Sequence, residues 1–317
     1  MRALAAALLL LGACSVNDAP AQVEGPTPIE PPSQVEESGG PVAVPGPDRV
    51  VMPEAPAELT LNCAGAFTQG GLVVCRTLPG AQVLVDGAEM GRADQDGWAV
   101  IGFTREHSAQ GIVVARAQNA QVTQTYAVAP REFDIQRVDG LPQQTVTPTD
   151  PAVLARIQRE SAMKAEGFAS HAALAGFLDG FIWPVEGRVS GRWGNQRVLN
   201  GTPSTPHFGV DIAAPTGTPI RAPAAGVVSL ANADMHFEGG LVFIDHGQGL
   251  ITMYLHMSRL DVAAGDRVEQ GQVIGAVGAS GRATGPHLCW RMRLNGRQLD
   301  PSVAIDGLQA ARAELLR

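Results

Sequence analysis

The C-terminal part of the chain, from Trp183 onward, consists of short apolar runs separated by glycine and proline. Runs of this length, bounded by turn residues, are typical of β-strands rather than helices. The pattern predicts an antiparallel all-β domain over residues 183–306, with a helical tail over residues 307–317. The runs that carry this prediction are GVVSLAN, GLVFIDHG, LITMYLHMS, DRVEQGQVIGAVG and HLCWRMRLNG.

Residues 57–147 show a second set of strand signals separated by Gly, Asp and Asn turns. They predict a small immunoglobulin-like β-sandwich, so the fold class is mainly β. Cys63 and Cys75 lie in this region, and in an exported protein such a pair favours a disulfide. The strand-like stretches are GLVVCRT, AQVLVDG, GWAVIGF, GIVVARAQ and VTQTYAVA.

Between the two β regions, residues 150–180 have helical periodicity, within a predicted linker over residues 148–182. Asp150 stands directly before Pro151, and an acidic cap followed by proline is a common start of a helix. We therefore expect a helical linker here.

The N-terminus has the layout of a targeting segment. Residues 1–13 contain one positive charge and a short apolar run, which predicts a signal peptide. The ending Leu-Gly-Ala-Cys resembles a bacterial lipobox, which would make Cys14 a lipidation site. An ordinary signal peptide that contains a cysteine is the alternative.

Residues 14–56 predict a disordered tether behind that cysteine. The stretch from residue 15 to 56 holds ten of the 23 prolines and an acidic excess. Such a composition cannot bury enough apolar surface to offset the entropy of ordering. If Ser15 follows a lipidated cysteine, the sorting pattern resembles that of outer-membrane lipoproteins, and the expected location is the periplasm.

Composition excludes two classes of protein. The net charge of -8 argues against nucleic-acid binding, which favours a basic surface. The segment AAGDRVEQGQVIGAVGASG resembles the hairpins of lipoyl and biotinyl carrier domains, but those need an acylated lysine. Lys164 is the chain's one lysine and lies outside this segment.

Histidines and one cysteine are the candidate functional residues of the C-terminal region. His207 and Asp211 are four residues apart, a spacing that places both on one face of a strand or a helix. His287 and Cys289 share a face of one predicted strand, and His256 ends another. Four other histidines are expected to be ordinary surface or core residues: His107, His171, His236 and His246.

Three segments together resemble the lysostaphin-type (LytM-like) zinc endopeptidases that cut peptidoglycan. They occur in that family's order and at about its spacing, and the resemblance covers residues 183–303. It implies a LytM-type peptidase domain and a bound zinc ion. The segments are HFGVDIAAPTGTPIRAPAAGVV, DHGQGLITMYLHMS and VEQGQVIGAVGASGRATGPHLCW.

The resemblance also implies roles for single residues. His207 and Asp211 match zinc ligands, and His256 and His287 match the two histidines that assist catalysis. Cys289 stands where the family has its third ligand, a histidine. Zinc accepts thiolate as readily as imidazole, and Cys289 has no cysteine partner left, so we interpret it as a zinc ligand. A buried inert cysteine and a regulatory thiol are the alternatives.

Two functional hypotheses follow from the resemblance. The first is a zinc metalloendopeptidase that hydrolyses peptide cross-links of peptidoglycan; for a diderm cell the resemblance implies the bond between D-alanine and diaminopimelate. The second is a catalytically degenerate LytM domain that binds and activates cell-wall amidases. The expected partners are peptidoglycan peptides and a membrane reached through the lipid anchor, with division or amidase proteins as further candidates; nucleic acid is not expected.

Overall fold

The computed structural model describes residues 58–316, and the predicted signal peptide, the lipidation site Cys14 and the tether lie outside them. The described chain is mainly β, as the sequence predicts. Among these residues, no helix combines the length and the apolar character needed to cross a membrane.

Seven strands at the start of the described chain form two antiparallel sheets, with orders β1-β2-β5 and β4-β3-β6-β7. Cys63 and Cys75 face each other in the register of β1 and β2 and form a disulfide. The immunoglobulin-like assignment of this region stays a prediction. The strands are β1 (Leu61–Gly65), β2 (Leu72–Thr77), β3 (Gln82–Val85), β4 (Ala88–Arg92), β5 (Trp98–Gly102), β6 (Gln110–Ala117) and β7 (Ala120–Ala127).

Ten of the remaining strands build a larger sheet, whose main path is β17-β14-β15-β16-β19-β12-β9, and the other three form a separate sheet of order β11-β10-β8. Strand β18 pairs with β13 and β16, and β20 pairs with β19. The strands are β8 (Ile135–Val138), β9 (Arg188–Gly191), β10 (Gln196–Leu199), β11 (Thr202–Pro203), β12 (Val210–Ala213), β13 (Pro219–Arg221), β14 (Gly226–Met235), β15 (Gly239–Asp245), β16 (Leu250–Leu260), β17 (Arg267–Val268), β18 (Val273–Val277), β19 (His287–Leu294) and β20 (Arg297–Leu299).

Strand β19 lies near the middle of this sheet, between β16 and β12. Successive side chains of a strand point to opposite faces. One face of β19 is fully buried and apolar: Leu288, Trp290, Met292 and Leu294. The opposite face carries His287, Cys289, Arg291 and Arg293.

The helices are α1 (Gln143–Val146), α2 (Pro151–Phe168) and α3 (Pro301–Leu315), with a 3-10 turn at Gly176–Asp179. Helices α2 and α3 both begin at a proline that follows an aspartate. The carboxylates of Asp150 and Asp300 accept hydrogen bonds from the first backbone N–H groups of the helix, which otherwise have no partner.

Three predicted segments differ from the structure. The C-terminal helix begins at Pro301 rather than at residue 307, because Asp300 caps it there. This helix packs against β1 and β2, and Gly307 lies directly against Ala66. It is therefore part of the packed fold and not a separate tail.

The predicted linker is also part of the packed fold. Helix α2 ends at Phe168, earlier than the periodicity suggested, and Gly167 lies against Leu230 and Phe243 of the large sheet.

Residues 135–147, which the prediction gave to the N-terminal sandwich, are attached to the C-terminal half. Strand β8 pairs in parallel with β10, residue for residue over four positions. The backbone groups of β8 find their partners on β10, so this strand continues neither of the two N-terminal sheets. The other predicted domain boundaries stay predictions.

Candidate metal centre

The register of the large sheet brings Asp211 and Cys289 together. Asp211 on β12 is the direct partner of Cys289 on β19. His207 lies in the loop before β12, where its backbone N–H and C=O bond to Asn195 and Gly194. The His207 Nε2 atom is 3.1 Å from Asp211 Oδ1 and 3.4 Å from Cys289 Sγ. All three side chains are buried.

These three atoms fit a cation better than they fit one another. Asp211 Oδ1 is buried, and in the described part of the chain no donor forms a hydrogen bond with it. His207 Nδ1 lies 3.3 Å from the Arg192 carbonyl, which can only accept, so Nε2 carries the lone pair. One ligand atom of each residue lies within 4.8 Å of the others. Tetrahedral zinc with bonds of about 2.0–2.3 Å holds its ligand atoms about 3.3–3.7 Å apart. The distances of 3.1 Å and 3.4 Å from His207 Nε2 to Asp211 Oδ1 and Cys289 Sγ are close to this range.

Two glycines leave room for the ligand side chains. A Cβ atom on Gly191 would stand 2.3 Å from Asp211 Oδ2, and one on Gly209 would stand 2.9 Å from Cys289 Sγ. Any side chain at either position would displace a ligand, so these glycines are needed for close approach rather than for a turn.

His256 and His287 flank the three ligands, with ring centroids 4.7 Å apart. His287 Nε2 lies 3.8 Å from Asp211 Oδ1. Each ring directs Nδ1 to a backbone carbonyl, His256 to Ser280 and His287 to Gly285, both at 2.8 Å. Because a carbonyl accepts only, Nδ1 carries the hydrogen and Nε2 remains free to accept a proton.

The backbone places His256 differently from the expectation. His256 lies inside β16 rather than at its end, and it has a φ of +66°. Its N–H donates to the Glu238 carbonyl where the pairing of β15 and β16 shifts register. Such a conformation is uncommon for a residue other than glycine and is found frequently at functional sites.

The electrostatics of the site suit metal ligation. Burial lowers the pKa of His207, which favours the neutral form that binds metal, although Asp211 opposes this shift. Burial would raise the pKa of Asp211, but His207, Arg197 and His287 outweigh it, so the carboxyl pKa lies well below its usual range.

The sulfur and the second histidine behave differently. Burial raises the pKa of the Cys289 thiol to about 11, partly opposed by the charge of Arg291. Metal binding would therefore release a proton from Cys289. Burial and the neighbouring His287 lower the pKa of His256 to about 3, so this ring is neutral at pH 7.

Two arginines in the site were missed by the sequence analysis. Arg197 on β10 donates to Asp211 Oδ2, and Arg291 Nε donates to Cys289 Sγ at 3.4 Å. The position of Arg291 could have been predicted, because it lies two residues after Cys289 and therefore on the same strand face. Arg197 had none, because pairing with β8 decides its position.

A cavity of about 280 Å³ opens beside Asp211 and His287. Its wall includes Gln136 and Leu141 from the segment that joins the two β regions, and also Arg282. The histidines expected to be ordinary stay outside the cluster. His107 pairs with Asp86, His171 is exposed, His236 contacts the carbonyl of Gln144, and His246 is held by Ala225 and Thr252.

Comparison with known proteins finds similarity in the part of the chain that contains the candidate metal centre. The sequence profile described as peptidase family M23 matches residues 205–301. A DD-carboxypeptidase/endopeptidase, Mpg, of Neisseria meningitidis is 43% identical over 109 residues, which are 34% of this chain and 25% of that protein. The peptidoglycan DD-endopeptidase ShyC of Vibrio cholerae is 46% identical over 95 residues, 30% of this chain and 22% of that protein. The chain thus spans about a quarter of the length of these curated relatives.

A solved structure covers much more of the fold. A crystal structure from Pseudomonas aeruginosa, assigned to peptidase M23, is 32% identical, with a TM-score of 0.58. The match covers 76% of this chain and 96% of that one, so it extends well beyond the residues that the family profile matches. The chain therefore belongs to peptidase family M23.

Proposed function

We propose that this protein is a zinc-dependent endopeptidase that hydrolyses the peptide cross-links of peptidoglycan. The observation that carries the proposal is the convergence of His207 Nε2, Asp211 Oδ1 and Cys289 Sγ, with a buried carboxylate oxygen that has no hydrogen-bond donor among the described residues. The substrate class is supported by the similarity to ShyC of Vibrio cholerae, a peptidoglycan DD-endopeptidase.

The residues of the chain divide the work between them. His207, Asp211 and Cys289 would hold the ion and leave a fourth position open. A bound zinc ion would polarise the scissile carbonyl and lower the pKa of the attacking water. His256 and His287 each have Nδ1–H fixed by a backbone carbonyl. Their Nε2 atoms can therefore accept the proton of that water and later return it to the leaving amine.

Metal content and digestion of purified sacculi test the proposal directly. We expect about one zinc per chain in protein purified without added metal, and release of cross-link fragments that a chelator abolishes. The Cys289→Ser variant should lose the metal and the activity, whereas Cys289→His should keep both because imidazole is an equivalent zinc ligand.

The alternative hypothesis, a catalytically degenerate LytM domain, predicts the opposite results. A domain that only activates amidases would purify without zinc and leave sacculi intact, and its properties would not change in Cys289→Ser. Zinc-loaded protein that fails on sacculi but cuts a soluble peptide would retain the metallopeptidase assignment and reject the substrate.

We further propose that the protein is exported and held in the periplasm by a lipid on Cys14, at the outer membrane. The support is the sequence alone: the lipobox-like ending, Ser15 and the proline-rich stretch behind it. Wild-type protein should incorporate labelled palmitate and fractionate with membranes. Cys14→Ala protein should do neither; a wild-type protein found without label in the soluble fraction would contradict the anchor.

A further inference from the structure

This chain has a cysteine at position 289 where the family has a histidine, and this difference changes the charge of the proposed metal centre. A divalent ion held by one imidazole, one carboxylate and one thiolate is neutral overall. With a second imidazole in place of the thiolate the same centre would carry one positive charge. A charge change of this size, in a buried site, must be met by the surroundings.

The guanidinium of Arg291 lies where it can balance this change in charge. Its Nε–H donates to Cys289 Sγ at 3.4 Å, within reach for a donor to sulfur. Arg291 lies two residues along β19, on the same face as Cys289, and is partly buried. The other arginine at the site, Arg197, bonds to Asp211 and not to the sulfur.

The backbone opposite makes room for this contact. Gly209, in the loop between His207 and Asp211, lies against both side chains. A Cβ at position 209 would stand 2.8 Å from Arg291 Cγ and 2.9 Å from Cys289 Sγ. The arginine can therefore fold back on the sulfur because position 209 has no side chain.

We propose that Arg291 is a positioning residue for a thiolate zinc ligand: its guanidinium holds the sulfur towards His207 and Asp211 and supplies the positive charge that a histidine at position 289 would make unnecessary. This rests on the proposed metal site. It goes beyond that site by making Arg291 and Cys289 a functional pair, so that the role of the arginine exists only while position 289 is a thiolate.

The test is a double-mutant cycle on metal affinity with the full chain. Zinc dissociation constants are measured by competition with a chromophoric chelator for four proteins: wild type, Arg291→Met, Cys289→His and the double variant. Arg291→Met should weaken zinc binding about 10- to 100-fold in the wild-type background, the usual cost of losing a partner of a metal ligand. In the Cys289→His background the same change should cost less than about threefold, since no thiolate remains.

Arg293→Met is the matched control. Arg293 lies on the same strand and the same face, and both arginines line the cavity of about 730 Å³ between α2 and the sheet. The Arg293 side chain stacks on Phe168, and its Nε forms no hydrogen bond with any of the described residues. We expect its zinc affinity to match that of the wild-type protein.

Cobalt provides a readout that a merely structural role would not move. In cobalt-substituted wild-type protein the sulfur-to-metal charge-transfer band reports the thiolate bond, and Arg291→Met should shift or weaken it at saturating cobalt. Arg291→Lys keeps the charge and should bind zinc more tightly than Arg291→Met. Thermal unfolding of the metal-free proteins checks that each variant folds.

The outcomes separate this proposal from the one on which it rests. If wild-type protein binds neither zinc nor cobalt, the metal site itself fails. If it binds zinc but Arg291→Met costs the same with cysteine and with histidine at position 289, or no more than Arg293→Met, the metal site stands and the pairing of Arg291 with the thiolate is wrong.

Discussion

The two faces of strand β19 show how one short segment serves two purposes. On one face Trp290 and Met292 are fully buried in the main core, and tight packing sets their identity. On the other, Cys289 and Arg291 lie among groups whose charges must balance. Because side chains alternate along a strand, neighbouring residues are under different constraints. A substitution on the core face affects mainly stability, whereas a substitution at the next position affects the chemistry of the site.

The largest expected effect on stability is on the core face. Trp290→Ala should lower the free energy of unfolding by about 3–5 kcal/mol, because it removes a large buried ring and leaves a cavity. Cys289→Ala, measured in chelator, should cost only about 1 kcal/mol, the contribution of a small buried group. Urea unfolding of both variants gives the two values. Equal losses would mean that the sulfur is simply part of the core.

A buried histidine on the core side should make stability depend on pH. The buried His246 ring bonds to the Ala225 carbonyl and to the Thr252 hydroxyl, which also bonds to Tyr254. Burial lowers its pKa to about 4, opposed by Ala225 and Asp245. A group with a depressed folded pKa stabilises the fold above its unfolded pKa of 6.5, and this contribution is lost as pH falls towards 4. The loss should be about 3 kcal/mol.

Urea unfolding at neutral pH and near pH 4 measures this effect, with His246→Gln as the test variant. The variant should be less sensitive to acid than wild type over that interval. His171→Gln is the control, since His171 is exposed. A wild-type acid sensitivity that persists in His246→Gln would assign it to other groups.

Cys63 and Cys75 are expected to contribute to stability and not to metal binding, in contrast to Cys289. The disulfide between Cys63 and Cys75 closes a short loop. Replacing both residues by alanine should lower the unfolding free energy by about 2–3 kcal/mol, mainly by freeing the unfolded chain. Thermal unfolding should show the same shift when wild type is reduced, and metal content should not change. A reductant-insensitive wild-type protein would refute the bridge.

The smallest effect on stability is expected at the start of α2, the helix that lines the cavity of about 730 Å³. Asp150 accepts a hydrogen bond from the backbone N–H of Ala152 at 2.7 Å. Asp150→Ala should cost about 1 kcal/mol, whereas Asp150→Asn should cost little because asparagine caps equally well. Thermal unfolding of the pair distinguishes capping from charge; an equal loss in both would point to the carboxylate charge instead.

Much of this architecture could be predicted because its determinants are local. The long strands β14, β15, β16 and β19 were recognised from their apolar runs, and the start of α2 from Asp150 and Pro151. Short or polar strands were missed. Strand β4 reads AEMGR and has one buried residue, so its pairing with β3 outweighs its weak intrinsic preference.

The site was predicted in part for the same reason. That His287 and Cys289 share a face follows from alternation alone, and the family resemblance supplied the expected roles of His207, Asp211 and His256. Zinc ligation and catalysis by these residues stay predictions. Arg197 could not be foreseen, since it reaches Asp211 only because β10 pairs with β8, about sixty positions earlier in the chain.

The sequence by itself determined which residues can be strands, where α2 is capped, and which residue types are available for a metal. Such properties depend on neighbours within a few positions of the chain. Only the tertiary structure decided that Asp211 faces Cys289, that His256 adopts a positive φ, and that Arg197 and Arg291 donate hydrogen bonds to Asp211 and Cys289. These depend on strand register and on close packing between distant segments, which no local pattern encodes.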